Sequence, residues 1–349
     1  MTAVHDGGVG GHASSDGVDS IGSRRGCRRT AQSIETLLLG DTLVMRRLRD
    51  QIMRLAPMKF SVMIHGPTGS GKELVAAALH QCSSRNGDLV AVNMSAIAAT
   101  MFEDAMFGHV RGAFTGATGE LRGYMAEANH GTLFLDEIST VGRSEQAKLL
   151  RALETKTFRP VGALRDQQSD FRLVSATNVD LELMVERREF RDDLAERLSA
   201  ATIEVPSLDA RREDIPQLVA HFAAASSSRI GQPVQFTPDA LDLLQNHAWP
   251  RNVRQLRHVI ERAIALHDGP VLSAAAIGAV LWRPGQLQPV DRTSAGERTA
   301  LVSLLEDADG DTARVAVTLG VNRATVYRRM RRLGITAPQR EASVARYVC

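Results

Sequence analysis

Lysine is nearly missing from this chain: among 42 basic residues, only Lys59, Lys72, Lys148 and Lys156 are not arginine. So broad a bias marks no single site. One arginine therefore says little, and a lysine inside a glycine loop says more. Aromatic residues make up 4% of the 349 positions. That is too few for the stacking platform that binds single-stranded nucleic acid. The three cysteines, Cys27, Cys82 and Cys349, are scattered and odd in number. They form no CxxC or Cys/His pattern, which argues against a disulfide framework and a zinc site. No apolar run is long enough to span a bilayer, and no signal peptide is legible, so a cytoplasmic protein without a membrane partner is expected. The net charge of +2 selects no class of partner. With 44% hydrophobic and 23% charged residues, the length predicts two or three globular domains with sizeable cores.

Residues 1–33, rich in Gly, Ser, Asp and Arg and without apolar period, read as a disordered tail. Leu43 to Leu55 has helical spacing. Ser61 to His65 reads as a short strand. It leads into Gly66-Pro67-Thr68-Gly69-Ser70-Gly71-Lys72-Glu73, a match to the phosphate-loop pattern GxxxxGK. Such a loop closes its backbone N–H groups around phosphates at a helix N-terminus, and Lys72 reaches the outer phosphates. ATP is the expected ligand. Leu89 to Asn93 is a second strand. Thr132 to Glu137 is an apolar strand ending in two carboxylates, at the edge where parallel α/β sheets bind ligands. Asp136 is placed to hold Mg2+ and Glu137 to orient the attacking water, since phosphoryl transfer needs positioning and charge neutralisation. Glu145 to Glu154 reads as an amphipathic helix with Ala147, Leu149, Leu150 and Leu153 on its apolar side. Phe171 to Asn178 reads as another strand. Val205-Pro206 closes the α/β part, and Thr237-Pro238 starts a helix as N-cap and N1.

Pro, Gly, Gln, Ser and Thr from Trp282 to Gly296 mark a linker. Leu301, Leu304 and Leu305 mark a helix. Thr312 to Leu319 is a second, and Asn322 caps a third that runs to Leu333. Two short helices joined by the Gly320-Val321 turn make a helix-turn-helix. Seven arginines and no acidic residue fall between Thr312 and Arg340. That is the footprint of a surface that binds double-stranded DNA. Asn322, Arg323, Thr325, Tyr327, Arg328 and Arg331 are the candidate contacts, with Val326 and Met330 facing inward.

Between the phosphate loop and the acidic pair lies Gly112-Ala113-Phe114-Thr115-Gly116-Ala117. Its glycines frame one ring and one hydroxyl at a loop tip. With the flanks Phe107-Gly108-His109 and Gly119-Glu120, this string resembles the GAFTGA loop of the bacterial enhancer-binding proteins. Those are AAA+ ATPases that activate RNA polymerase carrying sigma-54. The family commonly has Glu where Glu73 stands. The stretch from Gly310 to Ile335 is similar to its Fis-type DNA-binding domain. The resemblance runs from about Leu37 to Ile335.

It implies an α/β AAA+ core with a parallel sheet over 34–206 and an α-helical lid over 207–281. A linker over 282–296, a helix-turn-helix domain over 297–337 and a tail over 338–349 complete the expected layout. By resemblance Asn93 holds the catalytic Glu, Asn178 senses the terminal phosphate and Arg254 is the lid's sensor arginine. Arg191 and Arg197 reach the neighbouring subunit's nucleotide in a ring, by family a hexamer. Residues 112–117 touch sigma-54. The family's usual Gly and Glu of the lid motif are Arg251 and Gln255 here. The first 33 residues are too short for the family's sensory domain, which implies control by a separate regulatory protein. Two other readings fit many of the same motifs: a remodeller of a different protein, and a DNA-binding repressor with an inactive ATPase domain.

Overall fold

The computed structural model describes residues 34–230, 233–267 and 269–281, and single positions between 301 and 335. Five parallel strands form the central sheet: β1 (Val62–His65), β2 (Leu89–Asn93), β3 (Thr132–Asp136), β4 (Arg172–Thr177) and β5 (Ala201–Glu204). Their spatial order is β2-β3-β4-β1-β5. Every pairing is parallel, with Asn93 opposite Asp136 and His65 opposite both Thr177 and Glu204.

The central strands are apolar on both faces because both faces are covered. Side chains alternate across the sheet. Met63, Leu133, Leu135 and Leu173 enter one core. Val62, Ile64, Phe134, Val174 and Ala176 enter the other. The second core is closed by α1 (Leu43–Leu55) through Met45, Leu48 and Ile52, and by α2 (Lys72–Gln81) through Val75, Ala78 and Leu79. The first is closed by α3 (Phe102–Phe107), α4 (Arg143–Thr155) and α5 (Asp192–Leu198). The edge strand β2 is only partly buried, whereas every residue of β4 is buried.

Several buried charges act on backbone, Arg172 and Asp214 among them. Arg172, with 1% of its surface exposed, donates to the carbonyls of Leu55 (2.8 Å) and Ala56 (2.6 Å). A cation there satisfies the carbonyls at the C-terminal end of α1 and complements the helix dipole. Asp214 accepts from the N–H groups of Asp41 (2.7 Å) and Thr42 (3.0 Å) and from the Thr42 hydroxyl (2.7 Å). It thereby fastens the segment that leads into α1.

Contacts divide the chain into two compact units, one of residues up to 220 with 249–256, the other of 221–248 with 257 onward. α6 (Ile215–Ile230) and α8 (Asn252–Leu266) each run through a boundary between them. In the second unit, α7 (Pro238–Asn246) starts at the N-cap Thr237 with Pro238 at N1, as its sequence predicts, and packs against α9 (Ala274–Leu281). Further on, Leu301, Leu305, Val315, Val326 and Met330 form one buried cluster, so Val326 and Met330 do face inward. No helix among the described residues is long and apolar enough to cross a membrane.

Asp214→Ala leaves two backbone donors and a hydroxyl without their acceptor. It should destabilise the first unit by about 2–4 kcal/mol, with Asp214→Asn milder because an amide oxygen still accepts. A lowered urea midpoint at unchanged slope checks this; an unmoved midpoint for the alanine variant contradicts it.

Candidate functional site

The loop from Gly66 to Gly71 joins β1 to α2 at the carboxyl edge of the sheet. Its carbonyls are engaged one by one. Gly66 O accepts from Lys72 Nζ (2.9 Å) and Pro67 O from the Ser70 N–H (3.2 Å). Thr68 O accepts from Asn252 Nδ2 (3.0 Å) and Gly69 O from the Arg254 N–H (3.2 Å). Ser70 O accepts from Arg211 Nη2 (3.3 Å). With the carbonyls held by these partners, the N–H groups and the start of α2 are the part of the loop suited to an anion. The Ser70 hydroxyl is buried and has no hydrogen-bond partner among the described residues. Gly69 has φ +76°, and a Cβ there would lie 2.3 Å from the Arg251 carbonyl oxygen. Only glycine permits that approach. The loop therefore fits a nucleotide phosphate chain.

Burial pushes the Lys72 ammonium below its ordinary value, opposed by Asp136 and Glu137. Burial also raises the Asp136 carboxyl, against the pull of the Glu137 N–H and of Lys72. Asp136 Oδ1 accepts from that N–H at 2.9 Å. Glu137 adopts φ +54°, a left-handed backbone that costs a side-chain-bearing residue about 1–3 kcal/mol. Its carbonyl accepts from the N–H (3.0 Å) and hydroxyl (2.8 Å) of Thr140, which hold the turn.

The remaining sequence candidates are placed as follows. Asn178 Nδ2 donates to Thr68 Oγ1 at 2.9 Å, tying the end of β4 to the phosphate loop. Asn93 stands beside Asp136 on the neighbouring strand. Its side-chain oxygen accepts from the Ser95 N–H and hydroxyl, capping the turn that follows. Arg254 is near enough to depress Lys72. Gln255 Oε1 accepts from the Arg251 N–H (3.1 Å), so these two departures from the family pattern bond to each other. Arg191, the N-cap of α5, holds Asp193 through two hydrogen bonds, and Arg197 donates to Leu153 O (3.0 Å). Asn322, Arg323, Thr325, Tyr327, Arg328 and Arg331 lie outside the described residues.

Sequence reading missed Asn252 and Arg211. Asn252 is buried at φ +51°; its Nδ2 donates to Thr68 O and its Oδ1 accepts from the Leu208 N–H. The available signal was an asparagine just before an apolar-periodic helix, since asparagine tolerates that backbone. Arg211 had no signal in an arginine-rich chain.

The 112–117 loop is carried by the short antiparallel pair Gly108–His109 and Leu121–Arg122. Gly112 (φ +82°) and Gly116 (φ +104°) have open space around them; backbone angle alone requires glycine there. Gly112 N–H donates to Ala117 O and Ala117 N–H to Phe114 O, closing the tip. Phe114 is 45% exposed and meets the His109 ring edge-on, with centroids 5.0 Å apart. His109 in turn bonds Asp104 of α3. A second tip lies alongside, on the hairpin of Thr157–Phe158 and Gln167–Gln168. Val110 and Val161 pair through backbone at the base of the two loops. Leu164 on that second tip is 94% exposed and was not foreseen.

Because the Asp136 carboxyl is raised, folding disfavours its charged form. At neutral pH, above the ordinary carboxylate range, that shift destabilises the nucleotide-free protein. Asp136→Asn should therefore melt higher than the parent at neutral pH, with the gap closing as pH falls through the raised carboxyl value. An equal or lower melting temperature at neutral pH contradicts the assignment.

Three family models cover the chain in order: the sigma-54 interaction domain over 38–204, an AAA+ ATPase lid domain over 209–291, and the Fis-family bacterial regulatory protein over 297–333. The transcriptional regulatory protein ZraR of Salmonella typhimurium is 38% identical over 312 residues, covering 87% of this chain and 70% of ZraR. The C4-dicarboxylate transport transcriptional regulatory protein DctD of Rhizobium meliloti is 40% identical over 319 residues, covering 89% of this chain and 68% of DctD. The crystal structure of Brucella abortus NtrX in complex with ATP matches with a TM-score of 0.66 at 35% identity, over 90% of this chain and 75% of NtrX. With these matches, the chain belongs to the sigma-54-dependent transcriptional activators, with an AAA+ ATP-binding domain, its lid and a Fis-type helix-turn-helix.

Proposed function

We propose that the protein binds upstream DNA, assembles into a ring and uses ATP hydrolysis to remodel the closed complex of sigma-54 RNA polymerase through residues 112–117. The ATPase part spans 34–206, its lid 207–281 and the DNA-binding part 297–337. Gly66 to Glu73 hold the phosphates, and Lys72 faces the outer ones. Asp136 holds Mg2+, which neutralises the phosphate charge when bound. Glu137 orients the attacking water, with Asn93 and Asn178 as its polar neighbours and Arg254 reaching over from the lid helix. Arg191 and Arg197 serve the adjoining subunit of the ring, by family a hexamer. Asn322, Arg323, Thr325, Tyr327, Arg328 and Arg331 contact the DNA. A separate regulatory protein controls the cytoplasmic assembly.

The observation that carries the coupling is Phe114. A large ring stays 45% exposed at a tip whose shape two positive-φ glycines set. Such a ring calls for a partner that covers it, and Leu164, on the hairpin that pairs with the base of this loop, adds a second exposed apolar side chain.

A reconstituted sigma-54 transcription assay, run beside an ATPase assay on the same preparations, tests both halves. Glu137→Gln should bind ATP and lose hydrolysis by about 10²-fold or more, because the water loses its orienting carboxylate. Near-normal turnover would remove Glu137 from the reaction. Phe114→Ala should lose open-complex formation for each ATP hydrolysed. Full activation by that variant means the loop does not transmit the energy.

A further inference from the structure

Gln146 sits in α4 with no exposed surface. Its side-chain amide makes three hydrogen bonds, all to backbone. Nε2 donates to the carbonyls of Val141 (2.8 Å) and Glu189 (3.2 Å). Oε1 accepts from the Arg191 N–H (2.9 Å). The amide orientation follows from these partners, because turning it over would set oxygen against two carbonyls. Each of the three groups lies outside a regular helix or strand and has no other protein partner among the described residues.

The two sides of this bridge differ in role. Val141 ends the turn that begins at Glu137: its N–H donates to Ile138 O, and the Thr140 N–H and hydroxyl donate to Glu137 O. Arg191 is the N-cap of α5, which bears Arg197 in its last turn. One buried amide thus joins the turn behind the water-orienting carboxylate to the entry of the helix that carries both arginines.

We propose that Gln146 is a positioning residue that couples a subunit's own nucleotide site to the arginines it offers the next subunit. The inference rests on the roles of Glu137, Arg191 and Arg197 given above. A shift of the Glu137 turn moves the Val141 carbonyl, and the Gln146 amide carries that shift to Glu189 and Arg191. The device needs a donor and an acceptor on one short side chain. Glutamate lacks the donor, and methionine of similar size lacks the donor and offers only a weak sulfur acceptor.

The test uses the full chain. Gln146→Met should lower kcat for ATP by about tenfold while KM stays within about twofold, because positioning is lost and the phosphate loop is not. In assembled rings, mixing Gln146→Met with Glu137→Gln should restore turnover, since an interface then pairs an intact Glu137 with a well-held arginine helix. Arg191→Ala mixed with Glu137→Gln is the control. Recovery in the control but not with Gln146→Met overturns the coupling and leaves the trans arginines standing. No recovery in the control removes the trans arginines and the coupling with them. A rise in KM at unchanged kcat overturns the proposal too. Hydrogen exchange on the unmodified protein needs no variant. The Arg191 amide should exchange slowly without nucleotide and at a changed rate with ADP and aluminium fluoride. Fast exchange in both states, or one rate in both, overturns it.

Discussion

The phosphate loop works as an anion site only if something else takes its carbonyls. That requirement organises much of the first unit. Lys72, Asn252, Arg254 and Arg211 supply donors to Gly66, Thr68, Gly69 and Ser70 in turn. Three of them come from beyond residue 206, from segments that follow the last strand of the sheet. Arg211 also reaches Leu39 O and Met45 Sδ. The loop is therefore held by the chain on either side of the α/β core, and Asp214 anchors the leading segment nearby. A change in what the N–H side of the loop binds has a physical route to these segments through the same hydrogen bonds.

The exposed tips answer to a different constraint. A sheet with both faces covered has only its edge and its insertions for contact with other molecules. Phe114 and Leu164 sit on two such insertions, joined at their bases by the backbone pairing of Val110 with Val161. Phe114 rests on His109, which α3 holds through Asp104. A packed base under a glycine-framed tip gives a loop that moves as one piece when its base moves.

The regular elements were legible because their apolar period is strong. Leu43–Leu55 and Leu89–Asn93 have the bounds their residues predict. The helix read over Glu145 to Glu154 exists as Arg143–Thr155, with Leu149, Leu150 and Leu153 buried as read. Ala147, read as inward, is exposed, and Gln146 is buried in its place. Composition cannot announce a polar residue buried for its hydrogen bonds, because those partners, Val141, Glu189 and Arg191, are backbone groups common to every residue. Arg172 and Arg211 escaped notice for the same reason, made worse by the abundance of arginine.

The sequence by itself determined the parallel α/β core, the phosphate loop, the acidic strand end and the 112–117 loop. Each of these is a local pattern whose chemistry needs particular residue types at short spacing. Tertiary structure alone decided which distant donors hold the loop's carbonyls. It alone placed Gln146 between Glu137's turn and Arg191. Such contacts join residues far apart in the chain through backbone atoms, and backbone atoms carry no sequence signature.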